Sequence, residues 1–350
     1  MADTPLRIVA AIPFTPEFPK LVEAVDPGIE LITEPSLLRP NRHVSHDPDS
    51  PRFARTEEEQ RAYEKMAEQG DILYGIPDQN PELLAKTVRA NPDLRWVHTK
   101  AAGGGATVRA AGLTETELDR VAFTTSAGVH AGPLAEFAIF GLLAGAKNLR
   151  RLQDLQRQHI WAPHWAMGQL RDQTVLILGL GGIGKETARL AHAFGAKVLG
   201  VKRRPEPVPY VDSVHGVDEL GDIAGQADAV VVTLPGTRYT TNLVDGPLLA
   251  AMKPGVVIVN VGRGTVIDEP ALIDALRSER VGFACLDVTA TEPLPEDSPL
   301  WNMSRVLISS HTAAEDPAED SRIAELFADN LGRFLRGEPM RNVVDRKHFY

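Results

Sequence analysis

Four side chains stand just past the apolar runs in the second half of the chain: Arg263 after GVVIVNVG, Asp287 and Glu292 after GFACL, and His311 after RVLISS. In open α/β sheets ligands gather outside the carboxyl ends of the strands, so chemistry is expected at these places. An arginine grips a carboxylate with a charged fork of donors and polarises a neighbouring carbonyl. An imidazole delivers a proton to a carbonyl oxygen, and a carboxylate beside it keeps the imidazolium charged and oriented. Next to a nicotinamide ring, that set is what reduction of a 2-oxo acid needs. Taken singly, Arg263 reads as a surface charge and His311 as a cap. Their joint occurrence at successive strand ends favours a site.

The nicotinamide is suggested by QTVLILGLGGIGKETARLAHAFGAKVLGVKRR, residues 173–204. Thr174 to Leu178 is a short apolar run of the kind that fills a buried parallel strand, and a helix-periodic segment follows with Ala188, Ala191 and Phe194 at core spacing. Between them lies G-x-G-x-x-G. Gly179 is expected to make the tight turn, Gly181 to let backbone approach a pyrophosphate, and Gly184 to let the helix lie close to the strand. The helix N-terminus then offers N–H groups to the phosphates. After the second strand, where an NAD-binding unit carries an acidic residue for the ribose hydroxyl, this chain has Lys202, Arg203 and Arg204. A carboxylate repels a 2′-phosphate and a guanidinium grips it, so NADP(H) is the preferred cofactor, with NAD(H) second. The plainer reading is a solvated basic loop.

The rest of the chain must position these groups. With 350 residues it exceeds the roughly 250–300 at which one core stops growing, and two domains are expected. Hydrophobic residues make up 43% and charged residues 24%, an ordinary globular balance, and the net charge of −10 argues against a general nucleic-acid or anionic-membrane binder. Cys285, the one cysteine, excludes an intrachain disulfide and sits in an apolar run as a small hydrophobe. MADTPLRIV lacks the order of a signal peptide, and LAEFAIFGLLAGA at 134–146 is interrupted by Glu136 and too short to span a bilayer. Cytoplasmic residence is therefore expected by elimination.

Short apolar runs near residues 7, 29, 71, 94 and 121 alternate with helical segments, as in βα units around a parallel sheet. The stretch from Pro40 to Gln60 reads as a surface insertion ahead of a helix at 57–69. Its His43, His46 and Asp47 match no strong ligand spacing, and no metal is expected. Pro133 to Arg157 reads as one long helix. Four further strands follow the glycine turn, near 228, 255, 282 and 305.

The runs GLGGIGKETA, TLPGTRYTTNLV, MKPGVVIVNVGRGTVIDEPAL, LDVTATEPLPEDSPLW and ISSHTAA, with looser matches in LRWVHTKAAGG and TTSAGVHAGPLAEFAI, resemble the D-isomer-specific 2-hydroxyacid dehydrogenase family. The resemblance implies an α/β protein of two doubly wound parallel-sheet domains. A Rossmann cofactor domain at 126–314 would be inserted in a flavodoxin-like substrate domain at 1–125 and 315–350. It implies Arg263 as the substrate anchor, Glu292 and His311 as the acid/base pair, and Asp287 as a contact of the nicotinamide carboxamide. Gly179, Gly181, Gly182, Ile183 and Gly184 would cradle the dinucleotide. Thr233, Leu234, Pro235, Val261 and Gly262 would line its cleft, and Gly103 with Gly104 would present N–H groups to the substrate carboxylate. It also implies a homodimer built partly on the 133–157 helix.

Glu292 separates the chain from the formate dehydrogenase branch, where Gln is expected. Tyr74, Trp161, Trp165 and Trp301 read more readily as packing than as substrate contacts, and Lys100, if open to substrate, would favour a second acidic group. The expected function is reduction of small 2-oxo acids such as glyoxylate or hydroxypyruvate with NADPH. The alternatives are a corepressor-like dinucleotide sensor and a sister phosphite or 3-phosphoglycerate dehydrogenase.

Overall fold

A computed structural model describes residues 5–40, 53–346 and 349. His43, His46 and Asp47 lie outside the described residues. The chain divides into two compact units, Met1–Val129 with Pro317–Tyr350, and His130–Asp316.

The first unit is built on β1 (Arg7–Ala10), β2 (Glu30–Ile32), β3 (Ile72–Tyr74), β4 (Trp96–Thr99) and β5 (Ala122–Thr125). These are all parallel in the order β2-β1-β3-β4-β5, the flavodoxin-like winding. Its helices are α1 (Phe18–Val25), α2 (Glu57–Ala67), α3 (Pro81–Ala90), α4 (Gly105–Ala110) and α5 (Glu115–Arg120). The acidic start of α2 is fixed by a reciprocal cap: Thr56 accepts from the Glu59 N–H while the Glu59 carboxylate accepts from the Thr56 N–H.

The second unit opens with α6 (Ala131–Ala146) and α7 (Leu149–Arg157), then runs β6 (Thr174–Leu178), α8 (Gly182–Ala193), β7 (Lys197–Val201), β8 (Ser213–His215), α9 (Leu220–Ala224), β9 (Ala229–Val232), α10 (Gly246–Ala251), β10 (Val256–Asn260), α11 (Glu269–Arg277), β11 (Val281–Leu286) and β12 (Val306–Ile308). Its seven parallel strands lie in the order β12-β11-β10-β9-β6-β7-β8, so the winding reverses at β6, between β7 and β9. That is the Rossmann order. The chain then returns to the first unit as α12 (Glu319–Leu335).

This return helix completes the first core. Phe327 of α12 stacks on Trp96 at 4.8 Å and meets Tyr74 edge-on at 5.0 Å, with Phe18 against Tyr74 at 4.2 Å. All four rings are buried, each stabilising by roughly 1.5–3 kcal/mol. Tyr74 is therefore a packing residue. Beneath the rings lies a polar chain. The Trp96 indole donates to Thr124 Oγ1 (2.8 Å), which meets His98 Nδ1 (2.8 Å). His98 Nε2 meets Ser126 Oγ (3.2 Å), which donates to the Thr99 carbonyl (3.0 Å). Every partner is satisfied by a neutral His98 carrying its proton on Nε2, and burial pushes its pKa down to about 3.

In the second unit the inner strands β6, β7, β9, β10 and β11 are buried on both faces, which is why they read as unbroken apolar runs. Helix α6 lies close to β10 because Gly145 has no side chain: a Cβ there would stand 2.4 Å from Val257 Cγ2. Burial, and then the charge of Asp287, pushes the Cys285 thiol up to about 12.

Three details depart from expectation. The single helix over 133–157 is two, because Asn148 adopts a left-handed conformation (φ 53°) and its side chain caps α7 through the Arg151 N–H. Asparagine tolerates that conformation better than most residues and caps well. Phe194 is not core: it caps the end of α8, 46% exposed, while Ala188 and Ala191 are fully buried. Steps of three residues drift about 60° each on a 3.6-residue helix, so the third position has left the buried face. The edge strand β8 has only the sequence SVH and left no apolar run to read. Among the described residues no helix is long and apolar enough to cross a membrane, and no group of three His, Cys, Asp or Glu residues stands ready for a metal.

Candidate active site

The glycine turn has the shape that its spacing predicts. Gly179 ends β6 at φ 103°, which disfavours any side chain, and a Cβ on Gly184 would stand 1.9 Å from the Gly179 carbonyl oxygen. Gly181 is the extended N-cap of α8, with nothing within 4 Å of where its Cβ would be. Intrahelical bonding starts with the Lys185 N–H to the Gly181 carbonyl at 3.0 Å, so the amides of Gly182, Ile183 and Gly184 precede the first helical donor. Open space over a glycine at a helix N-terminus fits a pyrophosphate.

Neighbouring strand ends close around this turn. Thr233 Oγ1, past β9, donates to the Gly179 carbonyl at 2.6 Å, and Leu234 packs where a Gly179 side chain would be. Val261 is buried past β10, and a Cβ on Gly262 would come within 2.6 Å of the Leu234 carbonyl. The Pro235 carbonyl accepts from Thr240 Oγ1. At the end of β7, Lys202 is half-buried with Nζ 3.7 Å from Glu206, while Arg203 and Arg204 are exposed.

Arg263, Asp287, Glu292 and His311 all lie at the carboxyl edge of β10, β11 and β12. Arg263 is exposed, with buried Gly262 before it and buried Gly264 after it, and its Nη1 donates to the Gly262 carbonyl at 2.7 Å. His311 Nδ1 meets Glu292 Oε2 at 2.7 Å, and both side chains are partly exposed. Glu292 Oε1 accepts from the Thr289 N–H at 3.2 Å, which fixes the carboxylate on its far side.

Ser310 and His311 are both left-handed, at φ 53° and 59°. Such a conformation costs roughly 1–3 kcal/mol per non-glycine residue and persists where the surroundings over-determine it. Buried Asp287 supplies the restraint. Its Oδ1 accepts from Ser309 Oγ (2.6 Å) and from the Ala313 N–H (2.9 Å), and its carbonyl accepts from the His311 N–H (2.7 Å).

In the first unit, Gly103 is exposed in the turn between β4 and α4. Gly104 is buried with its N–H already given to the Ala101 carbonyl at 3.1 Å. Lys100 Nζ pairs with Asp320 Oδ1 at 2.5 Å, so its charge is answered within the unit. Trp161 is 98% exposed, Trp165 lies under the Arg151 guanidinium at 4.4 Å, and the Trp301 indole donates to the Pro295 carbonyl.

Two residues with a part in this geometry were missed in the sequence. Ser309 braces Asp287, and Asn260, the last residue of β10, bonds across the Arg263 turn. Their signal is a polar side chain closing an otherwise apolar strand.

Residues 139–313 match the model of the D-isomer specific 2-hydroxyacid dehydrogenase NAD-binding domain. A D-3-phosphoglycerate dehydrogenase of Mycobacterium leprae is 37% identical over 214 residues, which are 60% of this chain and 40% of that protein. A glyoxylate reductase of Korarchaeum cryptofilum is 31% identical over 278 residues, 75% of this chain and 80% of the relative. A D-isomer specific 2-hydroxyacid dehydrogenase from Xanthobacter autotrophicus Py2, solved with NADPH and MES, aligns with a TM-score of 0.74 at 27% identity, over 99% of this chain and 100% of that one. The chain belongs to the D-isomer specific 2-hydroxyacid dehydrogenase family and is an oxidoreductase acting on CH–OH groups with a nicotinamide dinucleotide.

Proposed function

We propose that this enzyme reduces short 2-oxo acids of the glyoxylate and hydroxypyruvate kind to D-2-hydroxy acids, with NADPH as its preferred donor. The observation that carries the reading is the 2.7 Å contact between His311 Nδ1 and Glu292 Oε2 at the strand edge that also bears Arg263. With Nδ1 committed to the carboxylate, His311 Nε2 gives its proton to the carbonyl oxygen, and Glu292 compensates the imidazolium charge on which that proton is held. Arg263 binds the substrate carboxylate with its charged fork and polarises the adjacent carbonyl. Gly103 donates a backbone N–H to a substrate carboxylate.

The dinucleotide, when bound, supplies the hydride. Gly179 to Gly184 hold its pyrophosphate, Thr233, Leu234, Pro235, Val261 and Gly262 line its site, and the buried Asp287 meets its carboxamide. Arg203 and Arg204 receive the 2′-phosphate. The substrate class is supported by the glyoxylate reductase relative, and the cofactor by the NADPH held in the Xanthobacter structure.

The test is oxidation of NADPH and NADH by the purified protein against glyoxylate, hydroxypyruvate, pyruvate, phenylpyruvate, 2-oxoglutarate and a phosphorylated 2-oxo acid. Fastest turnover of NADPH with a short, unphosphorylated acid is expected. Preference for NADH removes the cofactor assignment, preference for the phosphorylated acid moves the enzyme to the phosphoglycerate dehydrogenase side, and tight NADPH binding without turnover removes the reductase.

The paired assembly forms part of the same proposal. Helix α7 buries none of its residues, and Leu152, Ile160, Trp161 and Met167 are exposed on and beyond it, an apolar set that a second copy would cover. Light scattering is expected to give twice the chain mass of 38.0 kDa, and a single-chain mass refutes the pairing.

A further inference from the structure

We infer that Asn260 is a positioning residue for substrate binding: its carboxamide locks the turn that aims Arg263, and its backbone ties that turn to the one carrying His311. The inference rests on the proposed role of Arg263.

Asn260 is buried at the carboxyl end of β10, and both ends of its side chain are used within three residues. Oδ1 accepts from the Gly262 N–H at 3.0 Å, and Nδ2 donates to the Arg263 carbonyl at 3.1 Å. The turn between them is clamped from two sides. A Cβ on Gly262 would strike the Leu234 carbonyl at 2.6 Å, and one on Gly264 would strike the Thr289 backbone at 1.9 Å. Val261, Gly262 and Gly264 are buried, so within this stretch Arg263 is the exposed residue. Clamped neighbours fix where its Cα sits, and the carboxamide cross-brace fixes which way its side chain leaves the backbone. From that fixed origin the side chain turns so that its Nη1 donates to the Gly262 carbonyl at 2.7 Å.

The same residue reaches the proton donor. The Asn260 carbonyl accepts from the Asp287 N–H at 3.0 Å, and the Asp287 carbonyl accepts from the His311 N–H at 2.7 Å. Two backbone hydrogen bonds in series thus join three strand ends in one frame. An alanine at 260 would leave the Gly262 N–H without its partner inside the protein and the Arg263 carbonyl with the Val266 N–H alone, at 3.1 Å. A group so orphaned drives the turn to rearrange.

The test is a double-mutant cycle with glyoxylate and NADPH, using Asn260→Ala, Arg263→Ala and the pair, with Asn260→Ser taking the place of Asn260→Ala if the latter fails to fold. Asn260→Ala is expected to raise KM for glyoxylate about 10-fold, with smaller effects on kcat and on the Kd for NADPH. In the Arg263→Ala background the same change is expected to add less than about 2-fold, because the residue it acts through is gone. Hydrogen exchange gives a readout independent of turnover, and the Gly262 amide is expected to exchange at least about 10-fold faster. Equal losses in both backgrounds, a Kd for NADPH that rises in step with KM, or unchanged exchange at Gly262 each overturn the inference. Failure of the underlying reading looks different: Arg263→Ala alone would then leave the KM for glyoxylate unchanged.

Discussion

His311→Gln is expected to lower kcat by on the order of 10²-fold to 10⁴-fold, the range that a positioned general acid contributes, while the Kd for NADPH stays within about threefold of the parent. Glutamine keeps the bulk of the side chain and a polar end within reach of Glu292, but it has no site from which a proton is transferred at neutral pH. Binding should survive because the proposed dinucleotide contacts lie at the ends of β6, β7, β9, β10 and β11, whereas His311 enters from the turn after β12. Nor should the fold suffer, since the restraint on the left-handed pair Ser310 and His311 comes from backbone bonds to Asp287. Stopped-flow absorbance at 340 nm with saturating NADPH measures the chemical step directly. Turnover close to that of the parent would take His311 out of the mechanism.

The reason this histidine was legible in the sequence is architectural. Parallel strands covered on both faces leave continuous apolar runs, TVLIL, VVIVN and VGFACL among them, and whatever follows such a run must lie at the carboxyl edge. The glycines were legible for a steric reason: Gly184 faces a carbonyl that a methyl group would overlap. What stayed hidden depends on contacts between distant parts of the chain or on local backbone choice. Lys100 reads from sequence as a candidate for a second acidic group on the substrate, yet its counter-charge is Asp320, which lies 220 residues later and is delivered by the return helix. The break at Asn148 is a choice between continuing an α-helix and capping a new one, and helical periodicity favours the first. Asn260 is a third kind of omission. Its side chain does not point to chemistry by type, and its part emerges only once Gly262 and Arg263 are seen bonded to its two ends.

The double variant Arg203→Ala with Arg204→Ala carries the other large expected effect. KM for NADPH should rise on the order of 10²-fold, while KM for NADH moves less than about threefold. A charge-assisted hydrogen bond contributes about 1.5–3 kcal/mol, or roughly tenfold to a hundredfold, and two arginines would reach beyond 10³-fold if both were desolvated. They are exposed on the loop after β7, so solvent screening reduces the sum to the stated order. The asymmetry between cofactors is the diagnostic part: NADH lacks the phosphate, and the glycine turn that would hold the pyrophosphate lies at the end of β6. Lys202 is left in place because its ammonium already faces Glu206 at 3.7 Å. The preference should also weaken as salt rises from 0.05 to about 0.5 M, since exposed charges lose most of their attraction beyond a Debye length that shrinks over that range. Equal losses for both cofactors would make the loop a structural element, and no loss for either would place the 2′-phosphate elsewhere.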